Sequence, residues 1–187
     1  MIPTLIVLAV LIGLPLLYLV VTYNALVALR NHIRDAWANI DTELKRRYDL
    51  IPNLVETAKG YATHESETLE KVIALRNQCR ANNGSPAQQA TTEKLLVSSL
   101  NGLFALAENY PDLKASTNFQ QLQEELVNTE DRIQSARRFY NGNVRDYRNK
   151  TQSFPGNIVA GMFGFPPEAE EFFEVDPVER DPVKVSF

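Results

Sequence analysis

The side chains that most often carry catalysis are few and scattered in this sequence. It contains two histidines, His32 and His64, and one cysteine, Cys79. On one straight helix the two histidines would lie roughly 48 Å apart, too far to share a site. The spacings Glu-x-x-His, His-Glu-x-x-His, Cys-x-x-Cys and Gly-x-Ser-x-Gly are absent. The sequence therefore predicts no catalytic residue.

A phosphate-binding loop is considered and set aside. Gly156 and Gly161 have the separation of the two glycines in such a loop. Met162 and Phe163 follow them, where a lysine and a hydroxyl residue would have to hold the phosphates and magnesium. We interpret the match as accidental, and no cofactor is predicted.

Acidic residues cluster in two places, which raises the question of a metal site. The clusters are Glu65, Glu67 and Glu70, and Glu124, Glu125, Glu130 and Asp131. Inward carboxylates can bind metals in helical bundles, but the accompanying Glu-x-x-His motif is missing, so solvated helix faces are favoured and no metal is predicted. The nearby arginines Arg132, Arg137 and Arg138 have the spacing of intrahelical ion pairs with Glu130 and Asp131.

Length and charge limit the class of protein. The 187 residues suit one domain with an appendage, and the single cysteine requires no oxidising compartment. Nineteen basic and 23 acidic residues give a net charge of −4, which argues against a nucleic-acid partner. Residues 168–187 contain seven acids and two bases, so we expect a solvated, acidic, Pro-containing tail, with a binding role as the alternative.

The first 29 residues contain no charged side chain. The run from Ile2 to Val21 supplies the roughly 20 residues that cover a bilayer core, and Tyr18 and Tyr23 suit interfacial anchors. A cleaved signal peptide would need a basic start and small residues at a cleavage site, and neither is present. We therefore predict an uncleaved transmembrane anchor over residues 1–29.

The basic residues lie on one side of this segment. Only the terminal amine precedes it, whereas Arg30 and Arg34 follow closely and residues 45–47 (KRR) a little later. By the positive-inside rule, the N-terminus lies outside and the rest of the chain in the cytoplasm. We therefore predict a single-pass membrane protein.

Helical periodicity continues beyond the anchor. Apolar residues keep three- and four-residue steps from Trp37 to Ala62, straight through Pro52, which predicts one helix bent at this proline rather than two helices. Pro52 cannot donate to the Tyr48 carbonyl, and neighbouring polar residues are expected to offset the loss, namely Arg46, Arg47, Asp49 and Asn53.

Further helices are predicted over 65–80, over 86–108 and from Thr117 onward, where Thr117 and Gln120 have capping-box spacing. "ANNGSP" (81–86) and "NYPD" (109–112) predict turns, and no strand pattern occurs outside the membrane segment. The predicted fold class is all-α: an N-terminal transmembrane helix continuous with an up-and-down antiparallel bundle of about four helices.

The segment "FPGNIVAGMFGFPP" (154–167) is apolar but too short to span a bilayer. One interpretation is a short helix that caps the bundle. The other is a docking element for the membrane or for a partner. The predicted division is thus anchor 1–29, bundle 30–153, apolar segment 154–167 and tail 168–187.

Three stretches together resemble the LemA family of bacterial membrane proteins: "WANIDTELKRRYDLIPNLVETAKGYATHE", "ENYPDLKASTNFQQLQEELVNTEDRIQSARRFYN" and "FPGNIVAGMFGF". The match runs from the N-terminal span to about Phe165, and the acidic end departs from it. The resemblance implies a single-pass anchor in the bacterial inner (plasma) membrane with a cytoplasmic helical bundle, and it implies no catalytic residue.

Function is expected at the level of class. The favoured hypothesis is a non-enzymatic interaction or scaffolding module whose partners are the lipid bilayer and other proteins or further copies of itself. A lipid-surface or membrane-remodelling module that uses residues 158–165 is the first alternative. An enzyme with an unrecognised site is the second, because a fold alone does not define function.

Overall fold

Helices form nearly all the regular structure of the protein. The computed structural model describes residues 2–174, apart from the side chains of Ile2 and Leu5, and contains no strand in this range. The helices are α1 (Ile2–Lys59), α2 (Ser66–Ala81), α3 (Pro86–Ala107), α4 (Pro111–Lys114), α5 (Thr117–Gln152) and α6 (Gly156–Phe163), followed by a 3-10 turn at Pro167–Ala169. The predicted all-α helical bundle is confirmed.

Contacts divide the chain into two compact units. Among the described residues, the first, the anchor unit, contains 2–38 together with 138–171; the second, the bundle unit, contains 39–137 and 172–174. Helices α1 and α5 each contribute residues to both units. Of the predicted acidic tail, residues 175–187 lie outside the described part of the chain.

The bundle unit packs the second part of α1, α2, α3 and the first part of α5. Residue numbers increase in opposite directions along α1 and α5. Thr57 contacts Asn118, whereas Arg47, earlier on α1, contacts Glu130, later on α5. The two helices are therefore antiparallel, as an up-and-down bundle requires. The core consists of aliphatic side chains at helical spacing: Ile40, Leu44, Ile51, Leu54, Leu69, Val72, Leu96, Leu100, Leu103, Leu126 and Ile133.

The predicted turn between α2 and α3 is present and tightly bonded. Asn82 accepts a hydrogen bond from the Gly84 N–H at 2.9 Å, a short local turn of the kind that asparagine favours. Ser85 and Gln88 then form a capping box at the start of α3, with Pro86 in the first turn. These bonds satisfy N–H groups that the helix itself leaves unpaired.

Helix α5 begins at Thr117, as predicted, but the residue that caps it is not the predicted one. Thr117 is the first helical residue, and Ser116 lies at the cap position with its hydroxyl 3.5 Å from the Phe119 N–H. Thr117 and Gln120 therefore do not form a capping box. Two adjacent hydroxyl residues can both cap a helix, and spacing alone does not choose between them.

Within the anchor unit, the N-terminal part of α1 exposes its apolar side chains. It belongs to the one helix in the described chain that is long and apolar enough to cross a membrane, and only 6% of its most apolar stretch is buried. A core helix of a soluble protein would be mostly buried, so this exposure fits a segment that lipid covers.

Helix α1 passes through Pro52 without a break. The prediction of a single helix here is confirmed. The same helix ends at Lys59, so His64 lies in the turn that follows and not in the helix, which corrects its expected position.

Candidate functional site

The most unusual feature of the bundle unit is an arginine in its core. Arg47, on α1, is only 2% exposed. It donates to Glu93 of α3 at 2.8 Å through Nη1 and to Glu130 of α5 through Nη2. One guanidinium thus joins three helices, because its donors point in fixed directions that suit two carboxylates at once.

Tyr48 completes this group of side chains. Its hydroxyl donates to the second oxygen of Glu93, so both oxygens of that buried carboxylate have donors. Burial raises the pKa of Tyr48 well above its usual value, with the Glu93 charge adding to the shift. The phenol therefore stays protonated and acts as a donor. We call Arg47, Tyr48, Glu93 and Glu130 the Arg47 network.

One turn along α1, Pro52 leaves the Tyr48 carbonyl without its usual helical donor. Arg76, on α2, supplies the replacement: its Nε donates to the Tyr48 carbonyl oxygen at 2.9 Å. The residues expected from sequence to offset the proline were its neighbours on α1. The actual partner lies 28 positions away, because the neighbouring helix can aim a long side chain at a carbonyl that faces it.

Cys79 lies beside the same network but is not a reactive thiol. It is 4% exposed, and burial, with the nearby Glu93 charge, raises its pKa to about 12. The thiolate is the nucleophilic form, so this cysteine is nearly all protonated at neutral pH. Its place in the core is that of a small apolar side chain.

The chemistry available to the Arg47 network is therefore limited. Glu93 already has a donor on each oxygen, Tyr48 is held protonated, and Arg47 cannot act as a base. A catalytic arrangement would need a nucleophile within reach of a free base. This arrangement instead fixes how three helices align, since each polar group is satisfied only in one register.

Two shallow clefts flank the network. One, of about 290 Å³, has Glu93, Lys94 and Arg137 in its lining. The other, of about 130 Å³, is lined by apolar residues of α3 and α5 together with Arg47, Asn101, Glu130 and Asp131. Arg137 lies over the ring of Phe173 at 5.1 Å and donates to its carbonyl oxygen at 3.4 Å. Burial lowers the pKa of Arg137.

Phe173 belongs to the segment that the sequence analysis assigns to a solvated tail, yet it is buried in the bundle unit. Because acidic residues dominate the composition of this segment, the composition gave no sign that one of its aromatic side chains is buried. The four predicted segments of the chain, with boundaries after residues 29, 153 and 167, stay predictions.

The other residues considered for chemistry are dispersed. His32 and His64 are both exposed, in different units. Within the described range no group of histidine, cysteine and acidic side chains is arranged to hold a metal ion.

Members of both acidic clusters have partners elsewhere in the chain. Glu65 accepts a part-buried hydrogen bond from Tyr110 at 3.0 Å, and Glu125 accepts an exposed one from Arg46 at 3.0 Å. Glu130 pairs with Arg47, across helices, and not with the arginines of its own helix that the spacing suggested. Its remaining oxygen accepts from Gln134 at 2.6 Å.

In the anchor unit, α6 packs one face against α1 and leaves another open. Val159 and Ala160 are buried, while Ile158 and Met162 are exposed. The ring of Phe163 lies 5.0 Å from the ring of Tyr23, at the end of the apolar part of α1.

Sequence reasoning missed the Arg47 network. Arg47 lies in the run "KRR", which reads as a solvated basic patch, and Glu93 lies between polar residues of α3. The helical period does contain a signal: Arg47 and Tyr48 fall beside the apolar positions Leu44 and Ile51, three and four residues apart.

The fold and its exposed N-terminal helix define a class: an all-α helical bundle with one long apolar helix that fits a membrane anchor. Comparison with known proteins is more specific. The LemA family model matches residues 36–187, and this chain belongs to the LemA family. The match extends beyond Phe165 and so includes the acidic end, which the resemblance by motifs had left out.

Two relatives illustrate the range of the family. The protein LemA of Metamycoplasma hominis is 30% identical, with 87% of this chain and 74% of that protein covered. The magnetosome protein MamQ of Magnetospirillum gryphiswaldense is 24% identical, with 88% of this chain and 69% of that protein covered. Neither name denotes an enzymatic activity.

Proposed function

We propose that this protein is a non-enzymatic, membrane-anchored helical bundle that acts as an interaction or scaffolding module at the bacterial inner (cytoplasmic) membrane. In this proposal the N-terminus lies outside and the bundle unit in the cytoplasm. The observation that carries the proposal is α1, one helix from Ile2 to Lys59 whose first part exposes apolar side chains and whose second part lies in the bundle core.

The side chains of the bundle support a role without catalysis. The buried polar groups of the Arg47 network are engaged with one another, and the one cysteine is buried and protonated. Among the described residues, these groups are therefore engaged in holding the helices together and are not free to react. One relative is named a magnetosome protein, so related chains occur in more than one cellular setting.

The proposed surface for protein partners lies on the bundle unit, between α3 and α5. The smaller cleft there has apolar side chains, among them Leu100, Phe104, Leu126 and Val127, beside a polar edge that includes Glu130 and Asp131. Val127 is half exposed. Apolar side chains at the mouth of a cleft suit a protein partner better than a solvated surface would.

The proposal is tested by crosslinking the full-length protein in the membrane, followed by extraction in a mild detergent and mass spectrometry. We expect discrete complexes with other proteins or with further copies of the chain. We also expect Val127→Asp to reduce their yield severalfold, because a charge at the cleft would have to be desolvated on binding.

Asn128→Asp is the matched control, since Asn128 is the next residue on α5 and is exposed. It adds the same charge outside the cleft and should leave the complexes intact. A crosslinked sample that contains only monomer under several conditions would contradict the scaffolding role.

A further inference from the structure

The open face of α6 carries large apolar side chains. Ile158 and Met162 lie four residues apart on the helix and are 53% and 64% exposed, and Phe154, two residues before the helix begins, is 81% exposed. Residues 154–167 contain no charged side chain. Three large exposed apolar side chains so close in sequence are more than the isolated exposed residues that ordinary surfaces carry.

The C-terminal end of α6 and the residues just after it fix its position on α1. Phe163, the last residue of α6, and Phe165, two residues later, pack edge-on against Tyr23, with ring centroids 5.0 and 5.7 Å away. The Arg30 guanidinium lies 4.2 Å above the Phe165 ring. All of these residues belong to the anchor unit. Helix α6 is thus attached to α1 between Tyr23 and Arg30.

The depth of the segment from Tyr23 to Arg30 relative to a bilayer follows from its distance beyond the apolar run of α1. Tyr23 lies two residues past the apolar run that ends at Val21, a rise of about 3 Å, and Arg30 lies nine residues past it, a rise of about 13.5 Å. Aromatic side chains followed by the first cation mark the boundary between acyl chains and headgroups. The attachment of α6 falls within that boundary.

We infer that α6 is an interfacial helix whose Ile158 and Met162 face contacts lipid in the same leaflet as Tyr23. The inference rests on the proposed membrane anchor. Lipid is the occupant because the open face continues the apolar surface that α1 exposes from Ile6 to Val21 and carries no charge that would select a protein partner.

The experiment measures the depth of spin labels in the full-length protein, reconstituted in vesicles of phosphatidylethanolamine and phosphatidylglycerol. Cys79 is first replaced by alanine, and single cysteines are placed at Met162 or Ile158. Accessibility to oxygen, which concentrates in lipid, is compared with accessibility to a water-soluble nickel chelate.

Three further labels calibrate the result. Leu14 lies in the exposed apolar part of α1, and Asn83 lies in the exposed turn after α2. Asn157, on α6 itself, is exposed but lies about 140° around the helix from Met162. We expect the oxygen-to-nickel accessibility ratio at Met162 and Ile158 to lie nearer to that of Leu14 than to that of Asn83. The ratio at Asn157 should be lower than the ratios at Met162 and Ile158.

The outcomes separate the two proposals. If Leu14 reports lipid while Met162 and Ile158 report water, the interfacial helix is wrong and the anchor stands. If Leu14 also reports water, the anchor itself is wrong. Strong spin–spin broadening at Met162 and Ile158 would show that a second copy of the chain covers this face, and would overturn the assignment to lipid.

Discussion

At the scale of single residues, Arg47 has the largest consequences for the bundle. Its charge is removed from water and is compensated by Glu93 and Glu130. A buried pair of this kind contributes little net stability when complete, but removing one partner leaves the other charge buried and alone. Arg46, the adjacent residue, pairs with Glu125 on the surface and provides a natural comparison.

The first prediction compares these two neighbours. Arg47→Met should lower the free energy of unfolding by about 3–5 kcal/mol, because Glu93 loses its counter-charge in the core. Arg46→Met should lower it by at most about 1 kcal/mol, since its ion pair is exposed. Urea unfolding of the purified protein in detergent, followed by circular dichroism, measures both. Equal effects of the two substitutions would mean that the Arg47 network does not hold the bundle as described.

The second prediction concerns Cys79 and alkaline pH. Its pKa is raised from 9.0 to about 12 in the folded protein, so between these values the folded state keeps a proton that the unfolded state releases. The free energy of unfolding should therefore fall as the pH rises through this range, with the contribution of Cys79 complete below about pH 9.

Cys79→Ala removes this contribution, so the variant should lose less stability than the parent over the same range of pH. Both proteins retain the buried tyrosines, and the charge of Cys79 is a smaller cause of the raised pKa of Tyr48 than burial and Glu93, so the tyrosines titrate similarly in the two. Parallel curves of unfolding free energy against pH for the two proteins would contradict the assignment.

At the scale of elements, Pro52 shows how a local defect is repaired from another helix. The proline removes one donor from α1, and the Arg76 side chain on α2 takes its place at the Tyr48 carbonyl. The same contact ties α1 to α2 beside the Arg47 network. A feature that looks like a helix breaker in the sequence is thus a point of attachment between helices.

The third prediction uses this exchange of donors. Arg76→Met should lower the free energy of unfolding by about 1–3 kcal/mol, because it leaves a carbonyl without a donor. In a Pro52→Ala background the alanine N–H can donate to the Tyr48 carbonyl, so the same substitution should cost less. A double-mutant cycle measured by urea unfolding gives the coupling directly. Strict additivity of the two changes would show that Arg76 and Pro52 act independently.

The helices were largely predictable from the sequence. The side-chain contacts between helices were less so. The continuity of helix α1 through Pro52 follows from the regular spacing of its apolar residues, which is a local property of this part of the sequence. The partners of Arg47 and Tyr48 lie 83 and 28 positions away, and no local pattern encodes which helix faces which. The short α4 was also missed, because four residues around Pro111 read only as a turn.

At the scale of the whole molecule, the sequence predicted an anchored bundle because the anchor and the bundle have different compositions. The absence of charge before Arg30 and the helical period after it are both visible without a structure. The burial of Phe173 could not be predicted from the sequence, because one aromatic residue in an acidic segment does not form a periodic apolar pattern. Membership of the LemA family agrees with the helical fold and leaves the partners to experiment.

The central claim is that α1 places the N-terminus outside the membrane and the bundle unit in the cytoplasm. It is tested in intact cells with single cysteines at Pro3 and at Asn83, in a Cys79→Ala background, and an impermeant maleimide. Asn83 is chosen over Gly84, where an added Cβ would clash with the Gln88 side chain.

The account predicts that the cysteine at position 3 reacts in intact cells, whereas the cysteine at position 83 reacts only after the cells are permeabilised. Positive charges after the apolar segment, beginning with Arg30 and Arg34, are the reason for this orientation. Labelling at position 83 in intact cells, with position 3 protected, would contradict it.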